Sequence, residues 1–264
     1  MSAVATRDVA VPLARLTGEP DTQAATTSEL LLGERVEVQE SRGDWSRVIA
    51  HLDGYSGWTP TAALTAAALP PTHRVVVRAT LRFPGPGIKS APVERLAHGV
   101  RVRIAAQAIP DDEGLIALEG GGRVHATHLV PLSHVAGYGL CDLVMALYAG
   151  APYLWGGRTP DGCDCSGLLQ SVARAAGHDL PRDSGPQERT IGTLVTSAER
   201  RTDDLVFWPG HVAIVVDADT VVHANAHTLS VAREPLADVI VRAGEPSSIR
   251  RLPTRTANAA VSSG

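Results

Sequence analysis

A chain of 264 residues, 44% hydrophobic and 20% charged, is too apolar to be intrinsically disordered and long enough to bury cores of its own, as one body or as two or three modules. Its formal net charge is -4, and its basic residues, all arginine except Lys89, form no block of five or six, which excludes a nucleic-acid footprint. The longest apolar runs, such as 66–69 and 212–216, fall far short of the roughly 18 residues of a membrane helix, so no membrane partner is expected.

The first 16 residues interrupt any apolar stretch with Arg7 and Asp8; no export signal is readable, and a cytoplasmic location is the expectation. From residue 8 to 66 the chain reads as short strands separated by turns. Residues 34–40 (ERVEVQE) alternate as a half-exposed strand does, and Gly43 and Gly54 sit in turn dipeptides. The order LLGE, GDWSRV, DGYSGWTP resembles bacterial SH3-like domains, which implies a small β-barrel with Trp45, Tyr55 and Trp58 as its aromatic residues.

The Ala-rich stretch 61–71, closed by two prolines, predicts a short helical or extended linker. Residues 72–134 form a second β-rich block, with RVVVRATLRF, the Pro-Gly punctuation at 84–87, VRVRIAAQ and the run 115–132. It reads as a second, more divergent SH3-like barrel lacking the Gly57-Trp58 signature.

From 135 to 253 the pattern is mixed. Leu140, Leu143, Val144, Leu147 and Tyr148 recur at helical spacing, predicting a helix that ends near Gly150. Residues 165–176 (CSGLLQSVARAA) predict a second helix, capped by Asp164 and closed by Gly177. DDLVFW, HVAIVV and TVVHA, at 203–208, 211–216 and 220–224, predict an antiparallel meander after the helices, an α+β layout. Residues 254–264 are small and polar and read as a flexible tail.

Of the three cysteines, Cys141, Cys163 and Cys165, Cys165 falls at a helix start, where unpaired N–H groups and the macrodipole favour a thiolate. The turn-forming residues before it predict an exposed corner. A thiolate nucleophile needs an imidazole to take its proton and a third group to orient that imidazole. His211 and His223 lie on two strands joined by a loop of about four residues, so the hairpin brings them near each other.

The segments YLWGG…DCSGLLQ, LPRDSGPQ, DDLVFW…HVAIVV and VVHA, in this order, resemble the NlpC family of cell-wall cysteine peptidases. The two leading SH3-like modules match its intracellular γ-D-glutamyl-diamino acid endopeptidase branch. The resemblance implies a papain-like domain of helices on an antiparallel sheet. It makes Cys165 the nucleophile, His211 the general base and His223 the orienting third member. Tyr153 is implied to aid the Cys165 backbone N–H at the oxyanion. By the same resemblance, Asp164, Glu34 and Tyr55 bind the free amine of an N-terminal L-Ala, and Ser166 joins them at the substrate. The implied substrate is a murein peptide cut between γ-D-Glu and meso-diaminopimelate, or Lys, during cell-wall recycling.

No cofactor is implied. His125 and His128 lack a third metal-ligand signature, so no metal is expected. Cys163 reads as a turn residue, with a redox pair to Cys165 as the alternative, and Cys141 as core. Arg182, Ser184 and Gln187 read as loop-to-helix capping. Two other function classes stay open: a catalytically silent SH3-like cell-wall or protein-binding scaffold, and a related amidase or acyltransferase.

Overall fold

The computed structural model describes residues 5–254, so of the tail expected over 254–264 all but Thr254 lies outside the described residues. Contacts divide the chain into two compact units, one built from residues up to Leu132 together with Trp155–Pro160, the other from Ser133–Leu154 and the remainder after Asp161.

In the first unit, β1 (Ala5–Val9), β2 (Leu13–Thr17), β3 (Thr26–Leu31), β4 (Arg35–Arg42), β5 (Trp45–Ala50), β6 (Ser56–Pro60) and β7 (Leu64–Ala66) form one antiparallel sheet, ordered β3-β2-β6-β5-β4-β1-β7. Alternate side chains of these strands, among them Ala14, Leu16, Val48 and Ala50, meet with Val9, Leu30, Val36 and Ala63 in one core, as period-two patterning dictates. Tyr55 packs against that core, and Trp58 is buried with the Arg42 guanidinium 5.0 Å from its ring. The linker expected over 61–71 is shorter than its composition implies. Residues Thr61–Ala63 make a single 3-10 turn, and β7 pairs with β1 because Leu64 packs against the barrel core.

The second β-block comprises β8 (His73–Val75), β9 (Ala79–Arg82), β10 (Glu94–Ala97), β11 (Arg101–Val102), β12 (Leu115–Ala117), β13 (Arg123–His125) and β14 (Leu129–Pro131). They make three small sheets, β10-β9, β11-β8-β14 and β12-β13, around Val75, Leu96, Val100, Val102, Ile116, Leu118, Val124 and Leu129. Leu31 of β3 joins this core, and the Arg101 N–H donates to the Leu32 carbonyl at 3.0 Å, which ties the two blocks. Strand β15 (Arg158–Thr159) returns to the same unit. There Arg158 grips Glu34 through two hydrogen bonds of 3.0 and 3.2 Å and donates to the Glu29 carbonyl at 2.7 Å.

In the second unit, α1 (Leu140–Leu147), β16 (Gly162–Cys163), α2 (Cys165–Ala175) and α3 (Ser184–Thr190) precede β17 (Thr193–Leu194), β18 (Leu205–Trp208), β19 (His211–Val215), β20 (Thr220–Asn225), β21 (Ser230–Pro235), α4 (Leu236–Ala243) and β22 (Ser248–Arg251). The six strands from β17 onward pair antiparallel in the order β17-β22-β18-β19-β20-β21. Leu205, Phe207, Val212, Ile214, Val222 and Ala224 face the core shared with α1 and α2. Val206, Trp208, Ala213, Val215 and Val221 face Leu236 and Val239 of α4. Cover on both faces explains why β18 to β20 read as continuous apolar runs. The result is the expected α+β layout of helices packed on an antiparallel sheet, with both flanks of the meander occupied.

Candidate active site

Helix α2 starts where Asp164 adopts an extended conformation and its Oδ1 accepts the Gly167 N–H at 2.7 Å, a cap that satisfies one of the orphan donors of the first turn. Cys165 therefore occupies the first helical position. It is 8% exposed, so the exposed corner expected from the sequence is corrected. The turn residues before it do not lift it out, because the side chain joins the core of Leu168, Val212 and their neighbours, with Tyr153 packed against that core. Burial, then the charge of Asp164, pushes the thiol up to about 11, against the backbone N–H groups of Val212 and Ser166 and the charge of Arg182.

Strand pairing assembles the rest. β19 and β20 pair as Ile214 to Val222 and Val215 to Val221, and His211 Nε2 lies 2.7 Å from His223 Nδ1. Their rings meet edge to face, with centroids 4.9 Å apart. Burial, then His223 and Arg242, lowers His211 to about 4, only partly offset by Glu234; burial also lowers His223. At neutral pH both rings are uncharged. With Nε2 of His211 taken by His223, its Nδ1 is the nitrogen left for a thiol proton.

His223 Nε2 lies 2.6 Å from Glu234 Oε2, which also accepts from Arg242 Nη2 at 2.9 Å. Burial opposes ionisation of Glu234, but the His223 hydrogen bond and the Arg242 charge hold its carboxyl below the usual range. Sequence reading missed both residues, since β21 and α4 lie beyond the meander it identified. The available signal was period two: β20 and β21 pair His223 with Ala232 and Val221 with Glu234, so His223 and Glu234 are diagonal neighbours on one face.

Tyr153 is half-buried, its backbone N–H bound to the Leu229 carbonyl at 2.9 Å. Burial first, then nearby Cys165 and Asp164, pushes its hydroxyl up to about 12, so it stays protonated and able to donate near the sulfur. Asp164 does more than cap. Arg182, whose side chain is 1% exposed, binds it bidentately at 2.9 and 2.7 Å and also donates to Ser166 Oγ at 3.0 Å. The expected loop-to-helix capping by Arg182 is corrected: no side chain caps α3, and the guanidinium instead neutralises the carboxylate beside Cys165. Gln187 crosslinks the same loop to α2 by donating to the Ser166 carbonyl at 3.0 Å.

Glu34 is 1% exposed and spends its carboxylate on Arg158 and on the Leu31 N–H at 3.2 Å. Tyr55 takes an N–H bond to Asp53 at 3.0 Å and packs on the first barrel core. The three cysteines are buried and none is in a disulfide. Cys163 sits in the core, and the Cys141 thiol donates to the Val215 carbonyl. His125 and His128 hydrogen-bond Thr127 and Thr80. Among the described residues no group of three or more His, Cys, Asp or Glu could hold a metal, and no helix is long and apolar enough to cross a membrane.

Residues 150–241 match the NlpC/P60 family model, and residues 16–64 match the bacterial dipeptidyl-peptidase SH3 domain. The γ-D-glutamyl-L-lysine dipeptidyl-peptidase of Bacillus cereus is 25% identical over 239 residues, covering 79% of this chain and 70% of that protein. The protein of the same name from Bacillus subtilis is 27% identical over 220 residues, covering 75% and 71%. A crystal structure of an NlpC/P60 family protein from Bacillus cereus superposes with a TM-score of 0.79 at 23% identity, covering 94% of this chain and all of the other, which establishes the fold.

Proposed function

We propose that this chain, whose residues 150–241 match the NlpC/P60 family and which is similar to γ-D-glutamyl-L-lysine dipeptidyl-peptidases, is a cysteine peptidase that releases L-Ala-γ-D-Glu from L-Ala-headed murein peptides by cutting the bond from γ-D-Glu to a diamino acid, meso-diaminopimelate or Lys. The observation that carries this reading is Cys165 at the capped start of α2, in one core with Val212, the residue after His211, and His211 bonded to His223.

In this mechanism His211 takes the Cys165 proton as the sulfur attacks the γ-carbonyl carbon. The oxyanion is held by the Cys165 backbone N–H and the Tyr153 hydroxyl; losing one such donor typically costs about 2.7 to 4 kcal/mol of barrier. Protonated His211 then gives its proton to the departing amine of the diamino acid, leaving a thioester on Cys165. Water, deprotonated by His211, releases L-Ala-γ-D-Glu and restores the thiol. His223 keeps the His211 ring in place throughout.

Asp164 and Ser166 are the proposed amine-facing residues beside the nucleophile, with Arg182 keeping the carboxylate rigid. Glu34 and Tyr55 enter as residues whose exchange should raise KM for peptides with a free L-Ala amine. A role in murein-peptide recycling in the cytoplasm follows from that preference for small, free-headed peptides, and cell fractionation checks it.

The test is incubation with L-Ala-γ-D-Glu-meso-diaminopimelate and with its L-Lys counterpart, reading products by mass. L-Ala-γ-D-Glu should appear with the wild type and vanish with Cys165→Ala, and the N-acetylated peptides should be poor substrates. Undiminished cleavage by Cys165→Ala, or products of amide transfer in place of hydrolysis, would overturn the reading.

A further inference from the structure

Beyond the two histidines the hydrogen-bond chain continues into a carboxylate that the proposed chemistry has not used. We infer that Glu234 is a positioning residue of this site, setting the tautomers of both histidines so that His211 presents an unprotonated Nδ1 to Cys165. This rests on the reading of Cys165 as nucleophile and His211 as its base.

An ionised carboxylate only accepts hydrogen bonds. Glu234 Oε2 lies 2.6 Å from His223 Nε2, so that nitrogen carries the hydrogen. A neutral imidazole has a single N–H, so His223 Nδ1 is left as a lone pair. His211 Nε2, 2.7 Å away, must then donate to it, and His211 Nδ1 is in turn the bare nitrogen. One carboxylate thereby fixes two rings in series. Without it the opposite set is available, in which His223 Nδ1–H donates to His211 Nε2. His211 would then hold its hydrogen on Nδ1 and could not take a proton from sulfur.

Arg242 supplies the second half of the device. It stands in the last turn of α4 and donates to the same Glu234 oxygen at 2.9 Å. Its cation favours carboxylate over carboxylic acid and disfavours imidazolium on both rings. The ionisable groups acting on the relay are therefore His211, His223, Glu234 and Arg242. The order of contacts, imidazole to imidazole to carboxylate to guanidinium, leaves a single consistent pattern of hydrogens.

The experiment is nitrogen-15 NMR of the full chain labelled at histidine, at neutral pH, alongside kinetics on the tripeptide. In the wild type His211 and His223 should both be Nε2–H with Nδ1 bare. Glu234→Gln, which can present either an acceptor or a donor, should give mixed or inverted tautomers and lower kcat by about 10- to 100-fold, the size of effect seen for carboxylates that orient metal-bound histidines, with KM nearly unchanged. Glu234→Asp keeps an acceptor and should recover part of both. A wild-type spectrum with Nδ1–H on either ring overturns the inference, as does Glu234→Gln with wild-type tautomers and kcat. Should Glu234→Gln not fold, the wild-type spectrum decides alone. Absence of cleavage by the wild type would instead strike the functional reading, leaving the tautomer result to stand on its own.

Discussion

Asp164 and Cys165 are neighbours with opposed electrostatic demands. Burial raises the Cys165 thiol, and the carboxylate beside it adds to the rise. Arg182, its own side chain 1% exposed, offsets that penalty by binding Asp164 through both nitrogens. Removing one member of a buried pair strands the other, at a cost of about 3 to 5 kcal/mol. Arg182→Ala should accordingly lower the unfolding free energy obtained from urea titration by that amount, with Arg182→Lys intermediate because it loses the bidentate geometry. The high thiol and the low imidazole also mean that Cys165 and His211 both rest uncharged. Alkylation of Cys165 by iodoacetamide should climb with pH from about 6 to 10, as thiolate fraction does. A rate that is flat with pH would instead signal a preformed thiolate–imidazolium pair.

Elements fix where these groups meet. The helix start at Cys165 was legible because its signals are local: a capping Asp164, an apolar periodic run, and Gly177 at φ +87 to end it. β18, β19 and β20 were legible for the same reason, as β-branched runs between turns, and the turn between β19 and β20 has the four residues expected. What sequence could not supply is long-range pairing. The diagonal of His223 and Glu234 depends on the β20–β21 register, and Arg182 on Asp164 depends on a loop 18 residues away. The burial of Cys165 was likewise invisible, since it is set by what packs over the helix start. In the first unit, Gly33 shows the same dependence. It turns the chain at φ +78, and a Cβ there would stand 2.2 Å from the Arg101 carbonyl oxygen. Gly33→Ala should therefore destabilise the joint between the two β-blocks by roughly 1 to 3 kcal/mol, read as a fall in urea midpoint.

At the scale of the molecule, buried neutral histidines tie stability to pH. Burial lowers His98 and His211 each to about 4, and lowers His223 as well. The unfolded chain binds protons on these groups near pH 6.5 while the folded chain does not, so folded stability is full above about 6.5 and declines as pH falls toward about 4. Each ring lowered to about 4 contributes at most about 3 kcal/mol. Unfolding free energies obtained from urea titrations at pH 7 and near pH 4.5 should differ by several kcal/mol in favour of pH 7, and His98→Gln should shrink the difference. The fold class was readable from hydrophobic patterning and turn punctuation along the chain. The way the two β-blocks share Leu31 was not, because it is a packing relation between segments far apart in sequence.

The proposed hydrolysis requires a covalent bond formed at one sulfur during turnover. Acid-quenched enzyme taken during steady-state cleavage of L-Ala-γ-D-Glu-meso-diaminopimelate, mapped by peptide mass, should carry an L-alanyl-γ-D-glutamyl group on Cys165 and on no other residue. Turnover with the group found elsewhere would contradict the account.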